Sequence, residues 1–393
     1  MLVEKNTPLV SIIILNFNGE NYLERCLSSV LSTEYPNFEV IFVDNASTDS
    51  SIKIVEKIFG VDQRLRIFRS SQNLGFSGGN NFGFNYAKGE YIVFLNNDTI
   101  ADPYWLTALV NTMEEDETIG LAGSTILSID GKRLRGAGGL WSDYLLFLCP
   151  VGAGKEDNFG FAPTFEVSFA TGCSMIIKKE LIKKIGLFDS TIPYNYDDTL
   201  LSLKTWLAGK RVVSVSNSRI CHIGGATTTK FWNNQAVTFS LMRAKMCLLF
   251  DSYFKLKPLA KACLVFCLSV AIESTYSLRS KNSWKFLGNL QATLWILANF
   301  KYVWNNRLKH WSNAKISPEL LLSKFIRIRL QFPLCVLPAK ITYLKYDNEC
   351  LKYENSFVNK NSIHNLTFQI QLDSSSHFEL EELENYSQFF PNI

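Results

Sequence analysis

Along the first 225 residues, short solid apolar runs alternate with stretches whose apolar residues recur at helical spacing. Val10–Leu15 is an unbroken β-branched run ending in Asn16, the pattern of a strand buried on both faces. Tyr22, Leu23, Cys26, Leu27, Val30 and Leu31 then follow a 3.6-residue period, which predicts a helix. Glu39–Val43 is a second buried strand ending at Asp44, Ser51–Phe59 reads as helix, and Leu65–Phe68 as a short strand. Gly78–Lys88 is expected to hold a helix closed by Gly89, Tyr91–Leu95 a strand ending at Asn96, and Tyr104–Met113 a helix entered through Pro103. Strand and helix in strict alternation imply an α/β chain with a mostly parallel, Rossmann-like sheet flanked by helices. Right-handed crossovers then gather the strand ends on one edge, where open α/β sheets bind ligands. Asn16, Asp44 and Asn96–Asp98 fall on that edge from three separate strands.

The middle of the chain is less regular. Asp130-Gly131 reads as a hairpin turn and Gly136–Gly139 as a flexible loop. Phe165–Lys178 resembles a strand broken at Thr171-Gly172, Thr199–Ala208 a helix capped by Gly209, and Arg211–Ser216 and Arg219–His222 two extended pieces. From Lys230 the composition changes. Residues 230–316 carry 13 Lys and Arg against Asp251 and Glu273, a balance of +11, and are rich in Leu, Phe, Trp and Tyr. Basic amphipathic helices of this kind suit an anionic membrane surface; a helical subdomain with a solvated basic face is the alternative. The expected organisation is a catalytic unit over 1–229, a basic helical region over 230–316, and an extension over 317–393 without an assigned role.

Whole-chain numbers narrow the classes. With 393 residues, 47% apolar and 19% charged, the chain is neither disordered nor a small disulfide scaffold. A net charge of +4 gives no support to nucleic-acid binding. Nine cysteines with no CxxC pair fit reduced thiols in the cytoplasm. The N-terminus reads as a first strand and not as a signal peptide, and the longest apolar stretch, Leu259–Ile272, is interrupted by Lys261 and too short to span a membrane.

Polar clusters at the strand ends carry the candidate chemistry. Asp44 could accept hydrogen bonds from a pyrimidine imide or a ribose hydroxyl, with Asn16 and Asn45 beside it, while Ser47 or Asp49 caps the next helix. The glycine-rich turn Asn73–Asn81, with Gly79, Asn80 and Asn81, could admit a phosphate or ribose close to the backbone, or could be an ordinary turn. Asn96, Asn97 and Asp98 form an oxygen-rich trio suited to Mg2+ or Mn2+ on a diphosphate, with Asp98 the expected ligand; an Asx-turn would use the same residues. Asp197-Asp198 at a helix start could be caps, or could supply a general base for a sugar hydroxyl. His222, at a strand end before Gly224-Gly225, is a candidate contact to metal or diphosphate.

SIIILNFNG (11–19), VDNASTDSS (43–51), NLGFSGGNNFGFNYAKGEYIVFLNND (73–98), ATGCSMIIKKELIKKIGLFD (170–189), YDDTLLSLKTWLAG (196–209) and CHIGG (221–225) stand in one order over about 215 residues. Together they resemble the family 2 glycosyltransferases of the GT-A fold, and within it the rhamnosyltransferase-like branch of bacterial surface polysaccharide synthesis. The resemblance implies that Asp44 contacts the nucleobase with Asn16 nearby. It implies that Asn96 and Asp98 stand where the family binds metal through its DxD motif, that Asp198 is the catalytic base, and that His222 touches metal or diphosphate. Gly172 and Cys173 match a segment near the acceptor. Asp197 replaces the family's usual glutamate, Leu200 a frequent aspartate, and Lys204 a frequent arginine.

The implied reaction is inverting transfer of a sugar, with rhamnose one candidate, from a dTDP- or UDP-sugar to a saccharide hydroxyl. The expected acceptor is lipid-linked at the inner face of the cell membrane. Two rivals are weighed. A sugar nucleotidyltransferase would carry a basic glycine loop after the first strand, where this chain has NFNGEN (16–21). A catalytically degenerate nucleotide-sugar-binding scaffold would draw on the substitution at Leu200 and would release no nucleoside diphosphate.

Overall fold

The computed structural model describes residues 7–141, 148–157, 160–192, 196–224, 233–279, 283–312, 314–317 and 321. The elements run β1 (Val10–Asn16), α1 (Leu23–Leu31), β2 (Phe38–Asp44), α2 (Ser51–Phe59), β3 (Leu65–Arg69), α3 (Gly75–Phe84), β4 (Tyr91–Asn96), β5 (Thr99–Ala101) and α4 (Trp105–Glu115). They continue as β6 (Ile119–Leu127), β7 (Leu134–Gly136), β8 (Gly139–Trp141), β9 (Leu148–Pro150), β10 (Thr164–Glu166), β11 (Ser174–Lys178), α5 (Lys179–Ile185), α6 (Asp197–Leu207) and β12 (Arg211–His222). Four helices follow: α7 (Asn234–Ser252), α8 (Leu256–Arg279), α9 (Ser283–Ala298) and α10 (Phe300–Ser312).

The main sheet runs β10-β12-β6-β11-β4-β1-β2-β3. β3, β2, β1 and β4 are mutually parallel, and β6 is parallel to β12. β11 lies antiparallel between β4 and β6, and so joins the two parallel blocks. The period of two along each strand divides the core between the faces. Ile12 and Ile14 face α1, α2 and α4 with Val40, Phe42, Val93 and Leu106. Ile13 faces the other side with Ile41, Phe94 and Met175, in one apolar cluster that continues through α6 into Leu248, Ile296, Val303 and Leu321. The main sheet and the C-terminal helices therefore share a single core.

Differences from the sequence expectation have physical causes. α3 begins three residues early, at Gly75 (φ +71°), because Asn45 Oδ1 accepts the Leu74 N–H and Asn73 Oδ1 the Gly75 N–H, each at 2.9 Å. The span expected as one broken strand over Phe165–Lys178 divides into β10 and β11 with an irregular stretch between them. The two extended pieces near Arg211 and Arg219 are one strand with a bulge between Val215 and Arg219. The expected loop at Gly136–Gly139 is ordered between β7 and β8. β6, with its run of small residues Gly120, Ala122 and Gly123, had no predicted strand, yet it is buried throughout and contacts β11, β12 and β7. The basic region is helical, but Arg243, Lys245, Lys285 and Arg307 are buried in it. Its charged face is thus smaller than the residue count implies.

Among the described residues no helix is long and apolar enough to cross a membrane. Cys26, Cys173, Cys221, Cys247, Cys263 and Cys267 are free thiols.

Candidate active site

Register sets the site. Asn16 pairs with Asp44 across β1 and β2, Leu15 with Asn96 across β1 and β4, and Leu95 with Ser174 across β4 and β11. Asp44, Asn16, Asn96 and Cys173 thus stand at the same edge on four adjacent strands. At the usual interstrand spacing that row is roughly 14 Å wide.

At the β2 side, the Asn16 amide donates to Ser47 Oγ (3.1 Å) and, at 3.4 Å, to Asp44 Oδ1. Asn97 Nδ2 donates to Asn16 Oδ1 at 2.6 Å, and Gly19 packs so closely over this pair that a Cβ there would collide with both amides. Asp44 is buried and, among the described residues, takes the long Asn16 contact and the Ser47 N–H at 3.3 Å, which leaves acceptor capacity on the carboxylate. Asn45 turns the other way and ties down the glycine loop, donating to Asn73 Oδ1 and the Gly75 carbonyl. Asp49 takes the Ser51 N–H at the start of α2.

Asp98 lies between β4 and β5. His222, at the end of β12, donates from Nε2 to Asp98 Oδ1 at 3.0 Å, and Gly224 N–H donates to Oδ2 at 3.1 Å. The Asn96 side-chain amide stands 3.3 Å from the same imidazole nitrogen. Burial disfavours the charged form of Asp98, but His222 and the Gly224 N–H outweigh it and hold the carboxyl below its usual range. Burial likewise pulls the His222 pKa down; charge and hydrogen bonds from Cys173 and Asp98 lift it to about 10.

Asp197 and Asp198 open α6. Asp198 Oδ2 accepts the Gly172 N–H at 2.8 Å, and Oδ1 accepts the Thr199 N–H at 2.6 Å and its hydroxyl at 3.2 Å. The approach at Gly172 is close, since a Cβ there would stand 3.2 Å from the Asp198 side chain. The same loop reaches the end of β4, because the Asn96 N–H donates to the Cys173 carbonyl at 3.0 Å. Burial raises the pKa of Asp198 and, with the neighbouring Asp198 charge, raises that of Asp197 further. The pair holds a proton above the normal carboxylate range, and the N-terminal dipole of α6 partly offsets that burial.

Contacts therefore run without a break from Asp44 through Asn16 to Asn97, from Asn96 to His222 and Asp98, and from Cys173 and Gly172 to Asp198. Backbone strain marks the same places. Among the described residues, the non-glycine positions with left-handed φ are Asn18, Ala46 and Tyr196, which sit beside Asn16, Asn45 and Asp197. Such strain persists where surrounding structure enforces it, characteristically at sites.

Three residues expected at the ligand make packing contacts within the fold. A Cβ on Gly79 would lie 2.3 Å from Leu15, so this glycine lets α3 sit down on β1. Asn80 donates to the Phe76 carbonyl within its own helix, and Asn81 to the Phe188 carbonyl. Sequence reasoning missed Arg135, which donates to the carbonyls of His222 and Ile223 and so braces the segment that offers Gly224 N–H to Asp98. A lone arginine in a glycine-rich stretch gave no signal. Lys204 is buried on α6 and donates to the carbonyls of Gly186 and Leu187; burial lowers its pKa to about 8.

Among the described residues no three His, Cys, Asp or Glu side chains form a metal-holding group. Asp98 and His222, with the Asn96 amide, still converge on one point; with the Nε2 proton displaced, a carboxylate and one imidazole fit a divalent ion that takes its other ligands from diphosphate and water.

Residues 11–186 match the family model described as Glycosyl transferase family 2. An uncharacterized glycosyltransferase of Haemophilus influenzae is 32% identical over 149 residues, 36% of this chain and 46% of that protein. One of Rickettsia typhi is 30% identical over 220 residues, covering 54% and 63%. The O-antigen biosynthesis protein RfbC of Myxococcus xanthus is 30% identical over 227 residues, covering 56% of this chain and 17% of that one. The chain thus spans 46% to 63% of the length of the first three curated relatives. Among solved structures, GalNAc-T7 with UDP, GalNAc and Mn2+ shares the fold at a TM-score of 0.55 and 18% identity, over 76% of this chain and 57% of that one.

Proposed function

Residues 11–186 are a family 2 glycosyltransferase domain, and from this premise we propose that the protein transfers a sugar from a nucleoside-diphosphate sugar to a saccharide hydroxyl with inversion. The single observation that carries the reading is that Asp44, Asp98 and Asp198 are linked along one sheet edge by side-chain hydrogen bonds, backbone hydrogen bonds and neighbouring residues of one chain.

In this reading the open acceptor capacity of Asp44 receives the base or ribose of a UDP- or dTDP-sugar, and Asn16 fixes its orientation. Asp98 and His222, with Asn96, would hold a divalent ion, Mg2+ or Mn2+, which when bound supplies charge neutralisation for the departing diphosphate. Asp198 takes the proton from the acceptor hydroxyl, and that oxygen forms the new bond to the anomeric carbon opposite the nucleotide. Gly172 and Thr199 hold the carboxylate for this step, and the raised pKa of the acid pair favours proton capture. A lipid-linked acceptor, met at the inner face of the cell membrane in surface polysaccharide synthesis, is supported by the basic balance of residues 230–316 and by the likeness to an O-antigen biosynthesis protein. Rhamnose is one donor sugar consistent with the motif pattern.

The test is a screen of UDP- and dTDP-sugars with Mn2+ and lipid-linked saccharides, reading free nucleoside diphosphate and the anomeric configuration of the product. Acceptor-dependent release with inverted product is expected. Retained configuration, or release unaffected by Asp198→Asn, would overturn the assignment.

A further inference from the structure

Residues 186–196 join α5 to the acids that open α6. Their described part is gripped from three sides. On the sheet side, Ser77 Oγ of α3 donates to the Ile192 carbonyl at 2.6 Å and Asn81 to the Phe188 carbonyl at 2.9 Å, while the Phe188 ring meets Phe76 and Phe94 edge-on. From α6 itself, the buried Lys204 ammonium donates to the carbonyls of Gly186 (3.1 Å) and Leu187. From the helical layer, two side chains of α10 reach Asp189. Tyr302 Oη donates to Oδ1 at 2.9 Å, and Asn306 Nδ2 donates to Oδ2 at 3.2 Å.

Asp189 is itself fixed to receive them. Oδ1 accepts the Thr191 N–H at 2.9 Å, and the Thr191 hydroxyl lies 2.7 Å from it, so the carboxylate is held within its own turn independently of α10. Its charge partly offsets the burial that lowers the pKa of Lys204 on α6 and of Arg243 on α7. Lys204 stands two turns beyond Asp197 on the same face of α6, and a helix moves as one body over that length. A different face of α6 is fixed by the Gly172 N–H on Asp198 and by the Ala170 N–H on Ser202 Oγ at 3.2 Å. The helix that carries the acids is thus held on one face by the Gly172 loop. On another it is held, through Lys204 and the segment bearing Asp189, by α10.

We propose that Asp189 is a positioning residue for the transfer step: through it, Tyr302 and Asn306 of the helical layer set where α6 places Asp198 against the acceptor hydroxyl. The proposal rests on the transferase reading, in which Asp198 takes the proton. A base must stand within hydrogen-bond reach of the proton it removes, so a small displacement of α6 costs turnover. Donor binding at the ends of β1 and β2 does not depend on that displacement, because the Asn16, Asp44 and Asn97 contacts lie outside α6.

Tyr302→Phe combined with Asn306→Ala, in the full chain, tests it. The pair removes the grip of α10 and leaves Asp189 its Thr191 partner, and Tyr302 is 37% exposed, so the fold survives. With the UDP- or dTDP-sugar and acceptor found active in the screen, kcat per folded molecule should fall about tenfold while the donor KM stays within about twofold. Amide hydrogen exchange should become faster over residues 186–192 and 197–204 and stay unchanged over 10–47. Leu308→Ala, at an exposed position of α10, should alter neither kcat nor exchange. An unchanged kcat, a raised donor KM in place of the lowered kcat, or faster exchange confined to 186–192 would overturn the proposal. A loss of the same size in Leu308→Ala would do the same, because α10 would then act by packing and not through Asp189. If the unaltered protein turns over no donor, the transferase reading fails, and the exchange over 197–204 still judges the tie between α10 and α6.

Discussion

The sheet edge and the helical layer treat buried polar groups in opposite ways. At the ends of β1, β2 and β4, Asn16, Asn97, Ser47 and Asp44 answer one another, and the charges of Asp98 and His222 are paired. In α7, Arg243 is buried with aromatic rings on two sides and an unsatisfied Nε. A mutually satisfied network is rigid before any ligand arrives, so it suits recognition of a fixed group such as a nucleotide. Ring faces hold the Arg243 guanidinium by its charge without fixing it to one hydrogen-bond geometry, so this part of the helical layer is less tightly specified than the sheet edge.

The comparison can be broken at several points. The largest effect is expected from Asp198→Asn and Asp98→Ala, each lowering transfer by about 10² or more while the circular-dichroism spectrum stays that of a folded protein; Asp98→Ala should also lower the melting temperature, because it leaves His222 and the Gly224 N–H without their buried partner. Because burial raises the pKa of the Asp197–Asp198 pair, the ascending limb of the pH–rate profile should lie above the ordinary carboxylate range, with activity lost as pH falls through it. A limb at the usual aspartate position would remove Asp198 as base. Next comes packing: Gly79→Ala drives a methyl into Leu15 and should cost about 1–3 kcal/mol in denaturant unfolding, with catalysis per folded molecule unchanged. Asn97→Ala leaves Asn16 Oδ1 without its 2.6 Å donor and should cost about 1–2 kcal/mol, together with weaker nucleotide binding.

The smallest effect has the opposite sign. A buried acid with a raised pKa favours folding only while protonated, and that contribution fades as pH rises through the folded-state value. Asp197→Asn should therefore stabilise the protein by about 1 kcal/mol at pH 8, with the gain shrinking toward pH 4, where the native residue is already neutral. A loss of stability at pH 8 would mean that the Asp197 charge has a partner.

The β1–β2 side was the more legible half of the molecule. β1 and β2 announce themselves by solid β-branched runs, and α2 falls on Ser51–Phe59 as its periodicity implies. Asn16, Asp44 and Asn96 follow directly, because strand ends locate them. What stayed hidden depends on contacts far apart in the chain. The bond from Gly172 to Asp198 spans 26 residues and that from Arg135 to His222 spans 87, and neither leaves a local pattern. β6 escaped because a strand buried by its neighbours on both sides can be built from glycine and alanine, which carry little strand preference of their own. The basic segment misled in degree: composition counts charges but does not tell which ones aromatic rings will cover.

After α10 the backbone comes back to the sheet domain. Lys315 N–H donates to the Leu207 carbonyl at 2.6 Å, its side chain packs over Gly209, and Leu321 joins the shared core. The far end of α6 is fastened by a stretch that lies more than a hundred residues downstream, while its near end carries Asp197 and Asp198. A protease nick ahead of Lys315 would thus leave the Asn16–Asp44–Asn97 network intact yet untether the helix that presents Asp197 and Asp198.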